Sequence, residues 1–312
     1  MSTADAKDAV RLAGPPRRAG LATVALMAVT IAWGTTYVMS KALVDVMPVS
    51  SFLFWRFAIA TLALIVLAPR AVLRLSGRDL RRALLVGAAL AAGFGLQSFG
   101  LQLTTATSSG FVTGMFVVLT PLVAGVLFGD RIPARAWLGI ALAVVGLAAL
   151  SLDGLSLSRG DALTLAGALG FAVQIAALAR WSTSSTAVGM ATVQMGTVAT
   201  VSLVVSAFAG GVVTPPESSA WLSLAFLGVV ASAVAFAVQS WSQAHMSATK
   251  GAVIIATETM WAAVAGVTIA HDPITARLVT GSVLLLGAMA VVQFPASGLL
   301  IGRRPVRRLA VP

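Results

Sequence analysis

Residues 108–128 read SSGFVTGMFVVLTPLVAGVLF and carry no charged side chain. A helix needs roughly 20 consecutive apolar residues to cross a bilayer, and it satisfies its backbone hydrogen bonds internally. This stretch therefore predicts a transmembrane helix. Nine other stretches meet the same criterion, so the sequence predicts ten spans with short connections: 21–40, 51–68, 83–102, 108–128, 134–152, 162–179, 187–209, 220–244, 251–270 and 278–294.

The composition supports a membrane protein rather than a soluble one. Hydrophobic residues make up 58% of the 312 residues and charged residues 10%, against about 25% charged in an average soluble domain. The formal net charge of +11 lies in short clusters between the apolar stretches. That arrangement favours a lipid bilayer over a nucleic acid as the partner of the basic residues, so we expect no nucleic-acid binding.

Residue usage argues against several kinds of chemistry. The chain has no cysteine, which excludes disulfides, thiolate metal sites and cysteine nucleophiles. Its two histidines, His245 and His271, lie in different apolar contexts, and no phosphate-binding loop of the ATPase kind is present. We therefore expect no metal, no cofactor and no catalytic residue, and a protein that is not an enzyme.

The basic residues also predict an orientation. With a cytoplasmic N-terminus, 17 of the 21 Lys and Arg fall on the cytoplasmic side, three fall on the other side and Arg56 lies inside a span. We therefore expect an inner (plasma) membrane protein with two cytoplasmic tails, residues 1–20 and the basic residues 295–312. The alternative for residues 21–40 is a cleaved signal peptide, which the length of the apolar stretch and the lack of a small-residue cleavage site disfavour.

The sequence repeats itself at a distance of 142 residues. Gln97-Ser98-Phe99 aligns with Gln239-Ser240-Trp241, and residues 130–135 (DRIPAR) align with residues 272–277 (DPITAR). Ungapped agreement at both ends of about 45 residues indicates an internal duplication.

The duplication predicts how the two copies are oriented. We expect one copy at residues 21–152, a linker at 153–161 and the second copy at 162–294. Because each copy has five spans, an odd number, the copies insert in opposite directions and are related by a pseudo-two-fold axis in the membrane plane. The predicted fold is thus an all-α integral membrane protein, with ten transmembrane helices arranged as two inverted five-helix repeats around a shared cavity.

Short motifs lie in order along these spans. They are Trp33-Gly34-Thr35-Thr36-Tyr37, Pro48, Trp55-Arg56-Phe57, Gly100-Leu101-Gln102, Thr104-Thr105-Ala106, Gly110-Phe111 and Leu119-Thr120-Pro121-Leu122. Together they resemble the EamA-type ten-helix members of the drug/metabolite transporter superfamily over residues 21–294. In the ninth span that family often has a Leu-Glu-Pro-Val pattern with a second acid fourteen residues after the Glu. Glu258 and Asp272 keep this spacing, but Thr259 replaces the usual Pro and His271 the usual Gly.

The resemblance implies a secondary transporter that exports or exchanges small metabolites, such as amino acids and related amphipathic or aromatic compounds, by alternating access. It also implies a cavity lined by the first, third, fourth, sixth, eighth and ninth helices. An integral-membrane enzyme acting on lipid headgroups and a scaffold without transport activity are the alternatives. Since the cavity lies within one chain, we expect the monomer to suffice, with a small molecule as its partner and protons as a candidate coupling ion.

Three charged residues are candidates for gating or coupling. Arg56 lies inside an apolar span, where a charge costs about 2.5–3.5 kcal/mol at the helix centre. It could attract a substrate carboxylate or close a gate, or it could bind the carbonyl groups at a helix end. Glu258 could carry a coupling proton or simply hydrogen-bond a neighbouring helix. Lys41 shares a helix face with the aromatic candidates of the first span.

Six residues are candidates for lining the substrate site. Aromatic and amide side chains suit amphipathic or zwitterionic ligands, because rings hold apolar or cationic groups and amides both donate and accept hydrogen bonds. They are Trp33, Tyr37, Gln97, Gln174, Gln239 and Trp261. Helix packing and interhelical hydrogen bonding are the structural alternatives for these residues.

Overall fold

The computed structural model describes residues 16–130, 134–153, 156–246 and 248–293. Residues 1–15 of the predicted N-terminal tail and the whole predicted tail 295–312 lie outside this part of the chain. Within it, the backbone is helical apart from turns and two short strands, β1 (Leu152–Asp153) and β2 (Ser156–Leu157), which pair antiparallel where the first predicted copy ends and the predicted linker begins. The predicted all-α class is confirmed.

The first half of the described chain forms six α-helices, two of which share the fourth predicted span. They are α1 (Pro16–Val46), α2 (Val49–Leu67), α3 (Gly77–Gln102), α4 (Ala106–Thr113), α5 (Phe116–Phe128) and α6 (Ala134–Ser151). Ser76 caps α3 by accepting a hydrogen bond from the Asp79 N–H over 3.1 Å, which satisfies one of the free donors of the first turn.

The second half of the described chain forms seven α-helices and one π-helix. They are α7 (Arg159–Trp181), α8 (Ala187–Phe208), α9 (Ser218–Gly228), the π-helix Val229–Val234, α10 (Ala235–Gln243), α11 (Ala248–Ala256), α12 (Glu258–Thr268) and α13 (Ala276–Gln293). Ser158 caps α7 through the Asp161 N–H, in the same way that Ser76 caps α3.

Eight helical runs in the described residues are long and apolar enough to cross a membrane. They are Arg18–Val46, Val49–Leu67, Gly77–Gln102, Ala106–Phe128, Arg159–Trp181, Ala187–Phe208, Ser218–Gln243 and Lys250–Thr268. The fifth and tenth predicted spans are helical as well, but their apolar parts, Trp137–Gly146 and Ala276–Ala288, are shorter. The count of ten transmembrane helices therefore stays a prediction.

The outward faces of the helices are apolar, as a lipid environment requires. Large apolar side chains are exposed along them, for example Leu62, Val66, Leu85, Val126 and Phe208. Extensive exposed apolar surface is unfavourable in water, since each Å² of it costs about 25 cal/mol relative to burial. Polar side chains such as Gln174 and Thr164 are instead buried in the interior of the bundle.

Helices from the two halves pack directly on one another. α2 lies against α8, α3 against α7, α6 against α13, and α1 against α12. Where α3 meets α7 the backbones touch, because a Cβ atom at Gly167 would lie 2.8 Å from the carbonyl oxygen of Gly93. Small residues allow this close approach, which is the usual means of helix association in membranes.

The fourth and ninth spans are both interrupted midway. Between α4 and α5 the backbone tightens to hydrogen bonds three residues apart, such as Met115 N–H to Val112 over 3.1 Å. Between α11 and α12 the Thr257 N–H makes the same kind of bond to Ile254, also over 3.1 Å. Met115 and Thr257 are 142 residues apart, so the interruptions coincide with the repeat found in the sequence.

The turns after α5 and α12 also share their geometry. Gly129 and His271, again 142 residues apart, have left-handed backbones with φ of 70° and 57°. The residues that follow them, Asp130 and Asp272, each donate their N–H to the carbonyl oxygen six residues earlier, over 3.4 and 3.0 Å. Gly129 takes this conformation freely, whereas a non-glycine residue such as His271 takes it at a cost of about 1–2 kcal/mol.

Candidate functional site

A cavity of about 60 Å³ lies in the middle of the bundle, between helices of both halves. Its polar lining consists mainly of Tyr37, Arg56, Gln97, Gln174, Gln239 and Glu258. Its largest apolar side chains are Trp33, Phe94, Phe116, Phe171 and Phe236. A water molecule needs about 10–15 Å³ of such space, so in this conformation the cavity holds a few waters or one small chemical group.

One side of the cavity carries a hydrogen-bonded network around a carboxyl group. The hydroxyl of Tyr37 donates to Oε1 of Glu258 over 3.2 Å. Nε2 of Gln97 donates to Tyr37 Oη over 3.2 Å and to Thr113 Oγ1 over 2.9 Å. Helices α1, α3, α4 and α12 therefore meet through Tyr37 and Gln97. A network of this kind holds Glu258 in one position within an environment where an unpaired charge is costly.

Three amide side chains from the second half of the chain form a second network. Nε2 of Gln174 donates to Oε1 of Gln239 over 3.2 Å, and Gln239 returns a hydrogen bond over 3.3 Å. Gln174 also donates to Oε1 of Gln194 over 3.1 Å. These amides join α7, α8 and α10 in a buried region, and their paired geometry satisfies both the donor and the acceptor of the central amide.

Arg56 carries a positive charge deep in the bundle, with 3% of its surface exposed. Its Nε donates to Oγ of Ser232 over 2.9 Å, and its Cζ lies 4.9 Å from the ring centre of Phe94 and 5.2 Å from that of Phe57. Within the described residues, the carboxylate–cation pairs within 4 Å are Lys41–Asp45 and Asp79–Arg82. Ring faces and a hydroxyl, rather than a carboxylate, therefore surround the guanidinium.

Pairs of residues 142 positions apart line the cavity together. They are Phe94 and Phe236, Gln97 and Gln239, Trp33 and Ile175, Thr113 and Ile255, and Phe116 and Glu258. The first two pairs keep the same chemistry, whereas the last pair places an acid opposite an aromatic ring. The cavity thus combines symmetric neutral groups with an asymmetric charge.

A larger and more open cleft of about 600 Å³ lies beyond the cavity, at the Lys41 end of α1. Lys41 Nζ contacts Asp45 Oδ1 at 3.0 Å and the Gln102 carbonyl oxygen at 3.3 Å. Oδ2 of Asp272 accepts hydrogen bonds from the N–H and the hydroxyl of Thr107, over 3.0 and 2.6 Å. This carboxylate ties the loop before α13 to the first turn of α4, where a negative charge is favourable.

The comparisons with known proteins agree with this architecture. The sequence pattern of the EamA-like transporter family matches residues 20–152 and again residues 158–294, which together cover most of the chain. The chain belongs to the EamA-like transporter family. It is therefore a multi-pass membrane protein and a transporter by family, consistent with the drug/metabolite transporter superfamily indicated by the sequence motifs.

A curated relative and a solved structure extend this result. The chain is 31% identical over 277 residues to an uncharacterized transporter of Archaeoglobus fulgidus, with 88% of this chain and 84% of the relative aligned. A crystal structure of a protein superimposes with a TM-score of 0.66 over 87% of this chain and 97% of that one, at 18% sequence identity. At that identity the structural likeness concerns the fold alone.

The structure brings most of the sequence candidates of this EamA-like transporter together. Seven of them line the cavity: Trp33, Tyr37, Arg56, Gln97, Gln174, Gln239 and Glu258. Lys41 instead lies in the open cleft, one turn further along α1 from Tyr37. Trp261 packs against α1 at Gly34, where a side chain would collide with its Cβ atom, and it is not among the cavity-lining residues.

Two hydroxyl groups that hold cavity side chains, one in the lining and one behind it, were not singled out by sequence reasoning. Thr113 accepts from Gln97, and Ser232 accepts from Arg56. Isolated Ser and Thr residues are common in membrane helices, so the sequence carries no signal that separates these two from the rest. Phe94 and Phe236 did have a usable signal, because they are equivalent under the 142-residue repeat.

Proposed function

We propose that this chain is a secondary transporter that moves small amphipathic metabolites, amino acids and related aromatic compounds among them, through the central cavity. The single observation that carries the proposal is the composition of this cavity. Buried amides and one acid, one guanidinium and several aromatic rings converge between the two halves of a membrane-embedded bundle. Such a lining matches a ligand that has an apolar body and polar or charged ends.

The proposed mechanism is alternating access by two inverted five-helix repeats. The matched interruptions near Met115 and Thr257 support it, because broken helices at corresponding positions are a recurrent feature of substrate sites in inverted-repeat transporters. Straightening or bending at these points changes which end of the cavity is open. The direction we propose is export or exchange across an inner membrane, with both termini in the cytoplasm.

The two charged cavity residues have distinct proposed roles. Arg56 provides a positive charge for an anionic group of the substrate, since its nearest neighbours are ring faces and a hydroxyl. Glu258 provides a group that can bind and release a proton, and Tyr37 links it to the rest of the cavity. Because these side chains belong to one chain, the monomer is the proposed functional unit.

Radiolabelled counterflow in proteoliposomes tests the proposal. The purified chain is reconstituted and assayed with a panel of amino acids and aromatic cations at two external pH values. Exchange of at least one amphipathic compound above empty liposomes is the expected result. An enzyme or a scaffold gives no exchange with any compound in the panel, and that result would end the proposal.

A labelling experiment tests the orientation separately. The chain lacks cysteine, so a single Cys can be introduced into each tail in turn, at residues 1–15 and 295–312. We expect both positions to react with a membrane-impermeant maleimide only after the cytoplasmic face is opened. Labelling of the two tails from opposite faces would contradict an even number of spans.

A further inference from the structure

The π-helix Val229–Val234 lies behind the cavity lining, where it contacts the cavity residues Trp33 and Arg56, and its backbone hydrogen bonding is irregular. The Ala235 N–H bonds to the carbonyl oxygens of Val230 and Ser232, whereas in a regular α-helix it would bond to that of Ala231. The carbonyl oxygen of Ala231 accepts the indole N–H of Trp33 over 2.7 Å instead. The irregular turn therefore supplies an acceptor that fixes the ring of a cavity residue.

The same turn also directs a hydroxyl group at the guanidinium. Oγ of Ser232, one residue after Ala231, accepts the Nε–H of Arg56 over 2.9 Å, and Ser232 is fully buried. The hydrogen bond uses the inner nitrogen of the guanidinium and leaves the two terminal nitrogens for other partners. Since Arg56 lines the cavity and Phe94 covers its carbon atom at 4.9 Å, a ligand in the cavity can reach those nitrogens.

A guanidinium held in this way recognises a planar oxyanion. Two parallel N–H groups match the two oxygens of a carboxylate, and a guanidinium with a fixed orientation loses less freedom when it forms that pair. Trp33, fixed by the neighbouring carbonyl, is an apolar surface for the body of the same ligand. π-helical turns are rare and are frequently found at functional sites.

We propose that the π-helical turn builds a carboxylate-binding subsite. In this subsite Ser232 is a positioning residue for Arg56, and the carbonyl group of Ala231 positions Trp33. The ligand class is an aromatic or other apolar monocarboxylate. This inference rests on the proposed function, because it names the group by which the transported molecule would be recognised.

Binding of benzoate and benzamide to the purified full-length chain tests the subsite by calorimetry in detergent. The two probes have the same ring and size and differ in charge. We expect the wild type to bind benzoate at least about tenfold more tightly, and Ser232→Ala to remove about tenfold of that preference with little change for benzamide. Ser232→Thr, which keeps the hydroxyl, should retain the preference.

Ser206→Ala is the matched control, because Ser206 is a fully buried serine of α8 whose hydroxyl has no partner within the described part of the chain.

A double-mutant cycle with Arg56→Gln separates positioning from a general structural effect. Arg56→Gln should abolish the preference for benzoate, and adding Ser232→Ala to it should change nothing further. The inference is overturned if the wild type binds both probes equally or neither, if Ser232→Ala keeps the preference, or if that variant weakens both probes alike. Counterflow is measured on the same variants. If the protein exchanges substrate but its preference for benzoate does not depend on Ser232, the transport function stands and the carboxylate subsite is refuted. If the preference depends on Ser232 but no exchange occurs, the subsite stands and the transport function is refuted.

Discussion

Replacement of Glu258 by glutamine is the sharpest test of proton coupling. In the wild type the hydroxyl of Tyr37 donates to Oε1 of Glu258 over 3.2 Å. Glutamine keeps the shape of the side chain and an oxygen that can accept this hydrogen bond, so the packing of the cavity should survive. What it removes is the ability to bind and release a proton. Glu258 is the one carboxyl group among the described residues that line the cavity.

The expected size of the effect follows from Glu258 being the one carboxyl group among the described cavity-lining residues. One protonatable group gives at most one coupled proton per cycle, and one pH unit across the membrane corresponds to about 1.4 kcal/mol, or a tenfold concentration ratio. Wild-type protein should therefore accumulate a transported compound up to about tenfold per pH unit. The Glu258→Gln variant should reach no accumulation, while its exchange at equal pH on both sides stays within about threefold of wild type, since exchange needs no net proton movement.

The assay is uptake into proteoliposomes with an imposed pH difference of one unit and the membrane potential clamped. Glu217→Gln is the matched control, because Glu217 is the other glutamate of the chain and lies exposed in the loop before α9. If Glu258→Gln keeps the full pH dependence of the wild type, Glu258 does not carry the coupling proton and its role is to anchor Tyr37.

Five further substitutions test other parts of the structure. Trp33→Ala should lower the apparent affinity for aromatic probes about tenfold, because it removes a side chain that lines the cavity. Trp261→Ala should leave that affinity unchanged. Equal effects of the two substitutions would contradict the placement of Trp33 inside the cavity and Trp261 outside it. His271→Gly should stabilise the protein by about 1 kcal/mol in thermal unfolding, since glycine relieves the left-handed backbone, and Gly129→Ala should do the opposite. Gly266→Ala should destabilise it by about 1–3 kcal/mol, because the added methyl group would collide with Thr107 and lie 2.8 Å from Asp272 Oδ2. An unchanged melting temperature would show that this contact is not maintained.

Much of the fold was predictable because apolar length determines where helices can lie in a membrane. Each predicted span overlaps a helix in the described residues, and the 142-residue repeat identified positions that later proved to share geometry, such as Gly129 and His271. The interruptions were less accessible. Pro121 lies inside α5, beyond the interruption of the fourth span near Met115, and the ninth span has Thr259 in the usual place of proline and is interrupted at Thr257 all the same.

The cavity was predictable where a polar group in an apolar span had to be buried, and less so where packing decides. Gln174 and Glu258 face inward because exposure of their polar groups to lipid is unfavourable. Trp261 is different, because its position depends on Gly34 of another helix, whose lack of a side chain leaves room for the backbone of α12. Ser232 depends on a π-helical turn, and no residue pattern in that segment distinguishes it from a regular α-helix.

The distribution of charge relative to the repeat bears on how such a cavity can work. Gln97 and Gln239 are equivalent, so under the proposed alternating access by two inverted halves the neutral lining stays much the same in both states. Glu258 has the aromatic Phe116 as its equivalent, and Arg56 has the apolar Val198. Under the same proposed mechanism the two charges meet different surroundings in the two states, and this asymmetry gives them different free energies there. Neutral symmetric groups allow a ligand to be held in both states, while the two charged residues are the ones whose binding of a proton or an anion can favour one state over the other.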